Sequence, residues 1–158
     1  MARTAVTRAI ILRVIEHGDR SMVVRALTEA HGPRAFVVRP TGKKVPRALL
    51  QPLMRVEMIA TDDPGRELQY VNELRNDRPY GSLHSDPMRA VVGVFVQEVL
   101  CQALRMEAPD PDLFAYVQHE LEELDRGGPA RAVPVGLGRT FGRVAGASRA
   151  RRAAVRSP

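Results

Sequence analysis

Residues 18–40 read GDRSMVVRALTEAHGPRAFVVRP, from Gly18 to Pro40. Two short runs, Ser21 to Thr28 and Arg34 to Arg39, alternate apolar and charged residues on either side of a turn at His31-Gly32-Pro33. Period-two alternation bounded by turn residues predicts a pair of half-buried strands. Side chains alternate across a strand, so Met22, Val24 and Ala26 share a wholly apolar face, whereas Val23, Arg25 and Leu27 share a mixed one. The preceding stretch AVTRAIILRVIE, Ala5 to Glu16, is rich in β-branched residues and stops at the turn His17-Gly18-Asp19. There Ile10, Leu12 and Val14 are expected on the apolar, inward side and Ile11, Arg13 and Ile15 on the mixed, outward one. A mixed outer face with an arginine between aliphatics suits a surface partly covered by another element or a partner. It also suits an ordinary amphipathic strand with a solubilising charge.

Working outward, Gln51 to Ala60 (QPLMRVEMIA) reads as a fourth strand and Glu67 to Leu74 as a fifth, separated by the turn Asp62-Asp63-Pro64-Gly65. Helical character in this part is confined to Pro46 to Leu50. Five short strands in such a span predict a small closed barrel or sandwich. After Tyr80-Gly81 the period changes. Asp86-Pro87 is an N-cap followed by proline at the first helical position. From Met88 to Arg105 only a narrow polar stripe, Arg89, Gly93, Gln97 or Glu98 and Gln102, interrupts the apolar residues, which predicts a helix buried on most sides, in part against the barrel. A second helix is expected after Ala108-Pro109, capped by Asp110, with Leu113, Val117, Leu121 and Leu124 as its apolar stripe. The last stretch, residues 126–158, contains no acid and no periodicity and reads as disordered. The expected organisation is therefore α+β: a five-stranded barrel over 1–80, a partial helical domain over 81–125 and an Arg-rich disordered tail over 126–158.

The net charge of +6 hides a division along the chain. Residues 1–60 hold eleven Lys/Arg against four Asp/Glu, residues 61–125 five against fourteen, and residues 126–158 eight against none. A basic barrel followed by an acidic helical part suits a polyanion partner for the barrel, and it suits a merely solvated face nearly as well. Its densest cationic segment is RPTGKKVPRALLQP, where Arg39, Lys43, Lys44 and Arg47 are spaced by Pro and Gly that keep the loop exposed. Small five-stranded barrels commonly bind oligonucleotides through loops and one sheet face. The tail's arginines would add non-specific nucleic-acid affinity or none at all.

Catalytic chemistry has few candidates. The four histidines, His17, His31, His84 and His119, lie apart with no ligand spacing between them, and there is no phosphate-binding glycine motif preceded by a strand. The single cysteine, Cys101, sits among Val99, Leu100 and Leu104 and reads as a buried structural thiol. No stretch reaches the roughly 18 apolar residues of a membrane helix, and the N-terminal apolar run is cut at Arg13, too early for a secretory signal. A cytoplasmic binding protein without catalytic residues, metal or cofactor is expected.

The ordered set TRAIILRVIEHGDRSMVVRALTEAHGPRAFVVRP, ALLQPLMRVEM, GRELQYVNELRNDRPYGSL and AVVGVFVQEVL with PDPDLFAYVQHELEELD resembles the RecO family of DNA repair proteins over residues 4 to about 125. The blocks that carry it are the first strand ending at Gly18, the Thr-Glu-Ala-His-Gly turn after the second strand, Gln-Pro-Leu opening the fourth strand, and Pro-Asp-Pro-Asp-Leu-Phe at a helix entry. The resemblance implies an N-terminal OB-fold barrel joined to a helical domain, binding of single- and double-stranded DNA, strand annealing, and work as a recombination mediator with RecR and single-strand DNA-binding protein. It implies a DNA surface centred on the barrel, which maps here to Arg34, Arg39, Lys43, Lys44, Arg47 and Arg55. Family members usually run well past 200 residues, often with a four-cysteine zinc site. This chain ceases to match near Asp125 and its tail is expected to be a truncated or aberrant ending, with the contact to single-strand DNA-binding protein weakened. A module that docks RecR or another repair partner with little DNA affinity is the alternative, as is a non-functional truncation.

Overall fold

The structure, a computed structural model, describes residues 3–104 and 108–127. The expected disordered tail lies, from residue 128 onward, outside the described residues. Five strands, β1 (Arg3–His17), β2 (Ser21–Thr28), β3 (Gly32–Val38), β4 (Arg55–Asp62) and β5 (Gln69–Asn76), precede two helices, α1 (Pro87–Ala103) and α2 (Pro111–Arg126). The strands close into a barrel in the order β1-β2-β3-β5-β4, with β1 pairing β4 to complete the ring and β3 running parallel to β5. This is the OB-fold arrangement, and with the helices it makes an α+β layout.

The strand edges differ from the sequence expectation where side-chain chemistry intervenes. The fourth strand begins at Arg55, four residues later than Gln51, because Pro52 has no amide to donate and Leu53 adopts a left-handed φ of 67°. The fifth begins at Gln69, whose buried side chain accepts from the amide of Asp63 (2.9 Å) and donates to the carbonyls of Asp63 (2.7 Å) and Arg66 (3.0 Å). Those bonds tie off the turn, so pairing starts only after it. The short helical stretch expected around Pro46 is a single 3₁₀ turn, Arg47–Leu49.

The inward face of β1 corrects the sequence reading. Ile10 and Leu12 point out of the barrel, and Ile11 points in with Ala9. The register with β2 shifts between Ile11 and Arg13, so one extra residue is accommodated and the alternation restarts: Val14, beyond the bulge, again packs on the barrel interior. Simple period-two counting through Ile10, Leu12 and Val14 cannot see such an insertion.

Two apolar cores result. Inside the barrel lie Ile11, Met22, Val24, Phe36, Val38, Val56, Met58 and their neighbours. Between the barrel wall and the helices lie Ile10, Leu12, Leu27 and Leu53 from the barrel side, with Val96, Leu100, Leu104, Phe114, Leu121 and Leu124 from the helical side. The helices thus bury their apolar stripes against outward-facing strand residues, which accounts for aliphatics on both faces of β1. Asp86 caps α1, accepting from the amides of Met88 and Arg89, and Asp110 caps α2, accepting from Leu113. The chain leaves α2 at Gly127, whose φ of 89° closes the last turn.

The apolar surface of α1 is too broad for the barrel and α2 to cover. Rather than being buried on most sides, the helix shows Met88 (76% exposed), Val91, Val94 and Phe95 on the side away from the barrel, because the barrel and α2 line only the opposite side. None of the described helices is long and apolar enough to cross a membrane.

Candidate nucleic-acid interface

The barrel separates the six candidate cations into three places. Antiparallel pairing sets Met22 opposite Val38 and His17 opposite Ser21, so the end of β1, the start of β2 and the end of β3 share one end of the barrel. The loop from Arg39 to Met54 leaves from that end. Val45 and Leu50 turn into the barrel core and hold the loop down, and the carbonyl of Lys44 accepts from the amide of Leu74 on β5 (2.8 Å). On this loop the side chains of Arg39, Lys43, Lys44 and Arg47 are all exposed. Arg47 lies 3.6 Å from Glu16 at the end of β1, an ion pair with both partners at least 70% exposed, which is worth little in water. Arg39, Lys43 and Lys44 take part in no ion pair among the described residues.

The strand pairing adds one cation that the linear charge count left aside. Arg20, in the β1–β2 turn, is exposed at the same end as Arg39 and Lys43. It is separated from them by an entire hairpin in sequence, and only the register brings it close. Asp19 and Glu16 also lie at this end, so its net charge is smaller than a count of cations suggests.

Arg34 and Arg55 are elsewhere. Arg34 lies toward the opposite end of β3, where its guanidinium is 3.4 Å from Asp62 at the end of β4. Arg55 is 4% exposed. It donates to Glu122 on α2 (3.0 Å) and its guanidinium stands 4.2 Å from the centre of the Tyr80 ring. The structure therefore removes Arg55 from the set of accessible cations: a side chain sealed under α2 cannot reach a phosphate. Glu122 also pairs with Arg78, whose hydrogen bond is the main reason that its carboxyl sits below the usual range. The Tyr80 hydroxyl donates to the carbonyl of Leu53 (2.6 Å), and burial pushes its phenol well above its ordinary value.

The arginine that opened the question, Arg25, serves the helix. It donates to the carbonyls of Leu104 (2.5 Å) and Cys101 (3.5 Å) at the C-terminal end of α1, where the helix dipole is negative. Its neighbour across the sheet, Arg13, reaches Glu98 of α1 at 3.3 Å. The mixed outer face of β1 and β2 is thus a docking face for α1, and Cys101 is buried in it, as its sequence neighbours indicated.

A closed five-stranded OB barrel with helices docked on its flank and an exposed cationic loop at one end defines the class as an OB-fold protein. The chain belongs to the RecO family of DNA repair proteins: the family described as Recombination protein O N terminal matches residues 1–79, half of the chain. It is similar to the DNA repair protein RecO of Bacteroides fragilis, 36% identical over 122 residues that make up 75% of this chain and 50% of that protein. It is also similar to the RecO proteins of Phocaeicola vulgatus, at 34% identity over 75% of this chain and 51% of the relative, and of Christiangramia forsetii, at 28% over 75% and 52%. The chain spans about half the length of these curated relatives.

Proposed function

We propose that this chain binds single- and double-stranded DNA without sequence preference through the cationic end of its barrel, and that it acts by binding rather than catalysis as part of a recombination mediator. RecR and single-strand DNA-binding protein are its proposed protein partners. The observation that carries the reading is the exposed, tethered loop bearing Arg39, Lys43, Lys44 and Arg47 beside the Arg20 turn. Arg39, Lys43 and Lys44 lie between the end of β3 and buried Val45, and Arg47 between Val45 and buried Leu50, so the loop meets phosphates with little ordering cost, and each phosphate neutralised releases counterions. Lys43→Ala/Lys44→Ala/Arg47→Ala, titrated against single-stranded DNA across a salt series, tests it. With about four phosphates contacted the slope of log affinity against log salt is near −3 for the unaltered chain, and the triple substitution flattens it to about −1. An unchanged slope refutes the loop as the DNA site.

A protein-docking role has its own support in the exposed side of α1, where Met88, Val91, Val94 and Phe95 stand uncovered among the described residues. Salt-insensitive complex formation with RecR that is lost on Val91→Asp favours that reading over DNA binding.

A further inference from the structure

We infer that residues 133–137, Val133-Pro134-Val135-Gly136-Leu137, fold back onto the uncovered side of α1 and occupy it. The segment lies outside the described residues, whereas the surface it fits and the point from which it starts both lie within them. Met88, Val91, Val94 and Phe95 are 76%, 69%, 64% and 52% exposed, and steps of three and four residues put them on one stripe of the helix. The chain leaves α2 beside that stripe. Gly127 lies so close to the Arg89 guanidinium that a Cβ there would collide with it. Arg89, in the first turn of α1, is itself held by its hydrogen bond to the Ser82 hydroxyl (2.6 Å). Asp125, two residues before Gly127, accepts from the amides of Gly81, Ser82 and Leu83. The exit from α2 is therefore pinned against the first turn of α1, next to Met88.

Reach and charge select the occupant. Val133 is six residues beyond Gly127, enough to span about 20 Å when extended, whereas the stripe from Met88 to Phe95 is only about 10 Å long. Residues 126–158 carry eight arginines and no acid, and residues 61–125 carry fourteen acids against five Lys/Arg. Locally, Arg131 and Arg139 bracket the apolar segment as Asp86 and Glu98, with side chains 40% and 54% exposed, bracket the apolar stripe. Each acid already has one partner, Arg89 for Asp86 at 3.7 Å and Arg13 for Glu98 at 3.3 Å; such part-exposed pairs are weak, and a further guanidinium adds to them. A second copy of the chain is the poorer occupant, because four side chains fall well short of the roughly 20 residues a side that hold separate proteins together. A segment tethered on the same chain needs no such area, since its effective concentration at the stripe is of millimolar order. A protein that docks on this face, as RecR does in the second reading above, has to displace the segment first.

The test uses the full chain carrying Phe95→p-benzoylphenylalanine, a photoreactive side chain at an exposed position of the stripe. On irradiation the monomer is expected to acquire an internal crosslink from position 95 to the tryptic peptide 132–139, in a yield independent of protein concentration. Val135→Asp/Leu137→Asp, which puts two charges into the apolar segment, is expected to lower that yield about tenfold, within what the burial of one aliphatic side chain supports. The unaltered chain gives a second readout. Under brief trypsin treatment Arg131 and Arg139, at the ends of the docked segment, are expected to be cut more slowly than Arg149, Arg151 and Arg152. A crosslink between two chains, with a yield that rises with concentration, gives the face to a second copy and overturns the inference. Absence of the crosslink to peptide 132–139, a yield unchanged by the double substitution, or equal cutting at the two groups of arginines overturns it as well. All of these readouts are independent of DNA binding.

Discussion

The side-chain amide of Gln97 donates to the main-chain carbonyl of Leu12 at 2.8 Å. Leu12 is the residue at which β1 slips register against β2, so its carbonyl falls out of the ladder and needs a partner elsewhere. The Cys101 thiol, one turn further along α1, approaches the same oxygen at 3.6 Å. The bulge that turns Leu12 outward therefore also creates the acceptor on which α1 docks.

Gln97→Leu leaves that buried carbonyl to the weak thiol donor alone. An unsatisfied buried acceptor costs about 1–3 kcal/mol, so the urea midpoint of the variant is expected to fall with an unchanged m-value. A variant as stable as the wild type would show that the carbonyl finds water once the amide is gone.

Arg25→Met keeps the aliphatic stem and removes the guanidinium from the carbonyls of Cys101 and Leu104. The loss is expected to be about 1 kcal/mol, as for other charge-assisted bonds at a helix C-terminus. Hydrogen exchange locates it: the amides of the last turn of α1 lose protection while those of β2 keep theirs. Uniform loss across both elements contradicts a local capping role.

How much of this was legible in the sequence follows from the range of each interaction. The barrel strands, the Asp86 and Asp110 caps and the stripe of α2 depend on neighbours a few residues away, and the alternation and turn signals reveal them. The bulge at Leu12 does not, because Ile10-Ile11-Leu12 is apolar at every position and any register satisfies the pattern. The cationic loop is visible as a linear cluster, whereas Arg20 joins that end only through pairing across strands. Arg55 is one cation among others in a charge count, and its burial is set by Glu122 and Tyr80, 67 and 25 positions away.

Acid sensitivity is expected from Asp125. Burial pushes its carboxyl up, yet the amides of Gly81 (2.9 Å), Ser82 (2.8 Å) and Leu83 (2.8 Å) all donate to it and together hold it below its ordinary value of 3.8. The unfolded chain thus takes up this proton more readily than the folded one. The carboxylate's contribution to stability is complete above pH 3.8 and is lost as the pH falls through the lower, folded-state value. Glu29, held down mainly by its hydrogen bond to Arg8, and Glu122, held down by Arg78, act in the same direction from their ordinary 4.5. Stability measured by urea melts is expected to decline from about pH 4.5 downward. Asp125→Asn is expected to be less stable at pH 7 and to show a shallower decline; a parallel pH profile removes Asp125 from the account.

Arg55 and Arg34 test the proposed division between structural cations and DNA-binding ones. Glu122→Ala leaves the guanidinium of Arg55 buried beside the Tyr80 ring without its ion-pair partner, and removing one partner of a buried pair costs about 3–5 kcal/mol. Arg55→Met, which removes the charge and keeps much of the volume, is expected to be far milder, since the pair's own attraction is largely offset by the desolvation of both ions. Because Arg55 is sealed beneath α2, Arg55→Met is also expected to leave the salt slope of DNA binding where it was, provided the variant is folded by circular dichroism. Arg34→Ala, at the far end of β3 and opposite Asp62, is expected to lower affinity less than twofold, against the severalfold loss from Lys43→Ala/Lys44→Ala. The comparison is decisive in one direction: a drop of about one in the salt slope for Arg34→Ala places phosphate contacts along the whole of β3, and the DNA path then runs the length of the barrel instead of across its end.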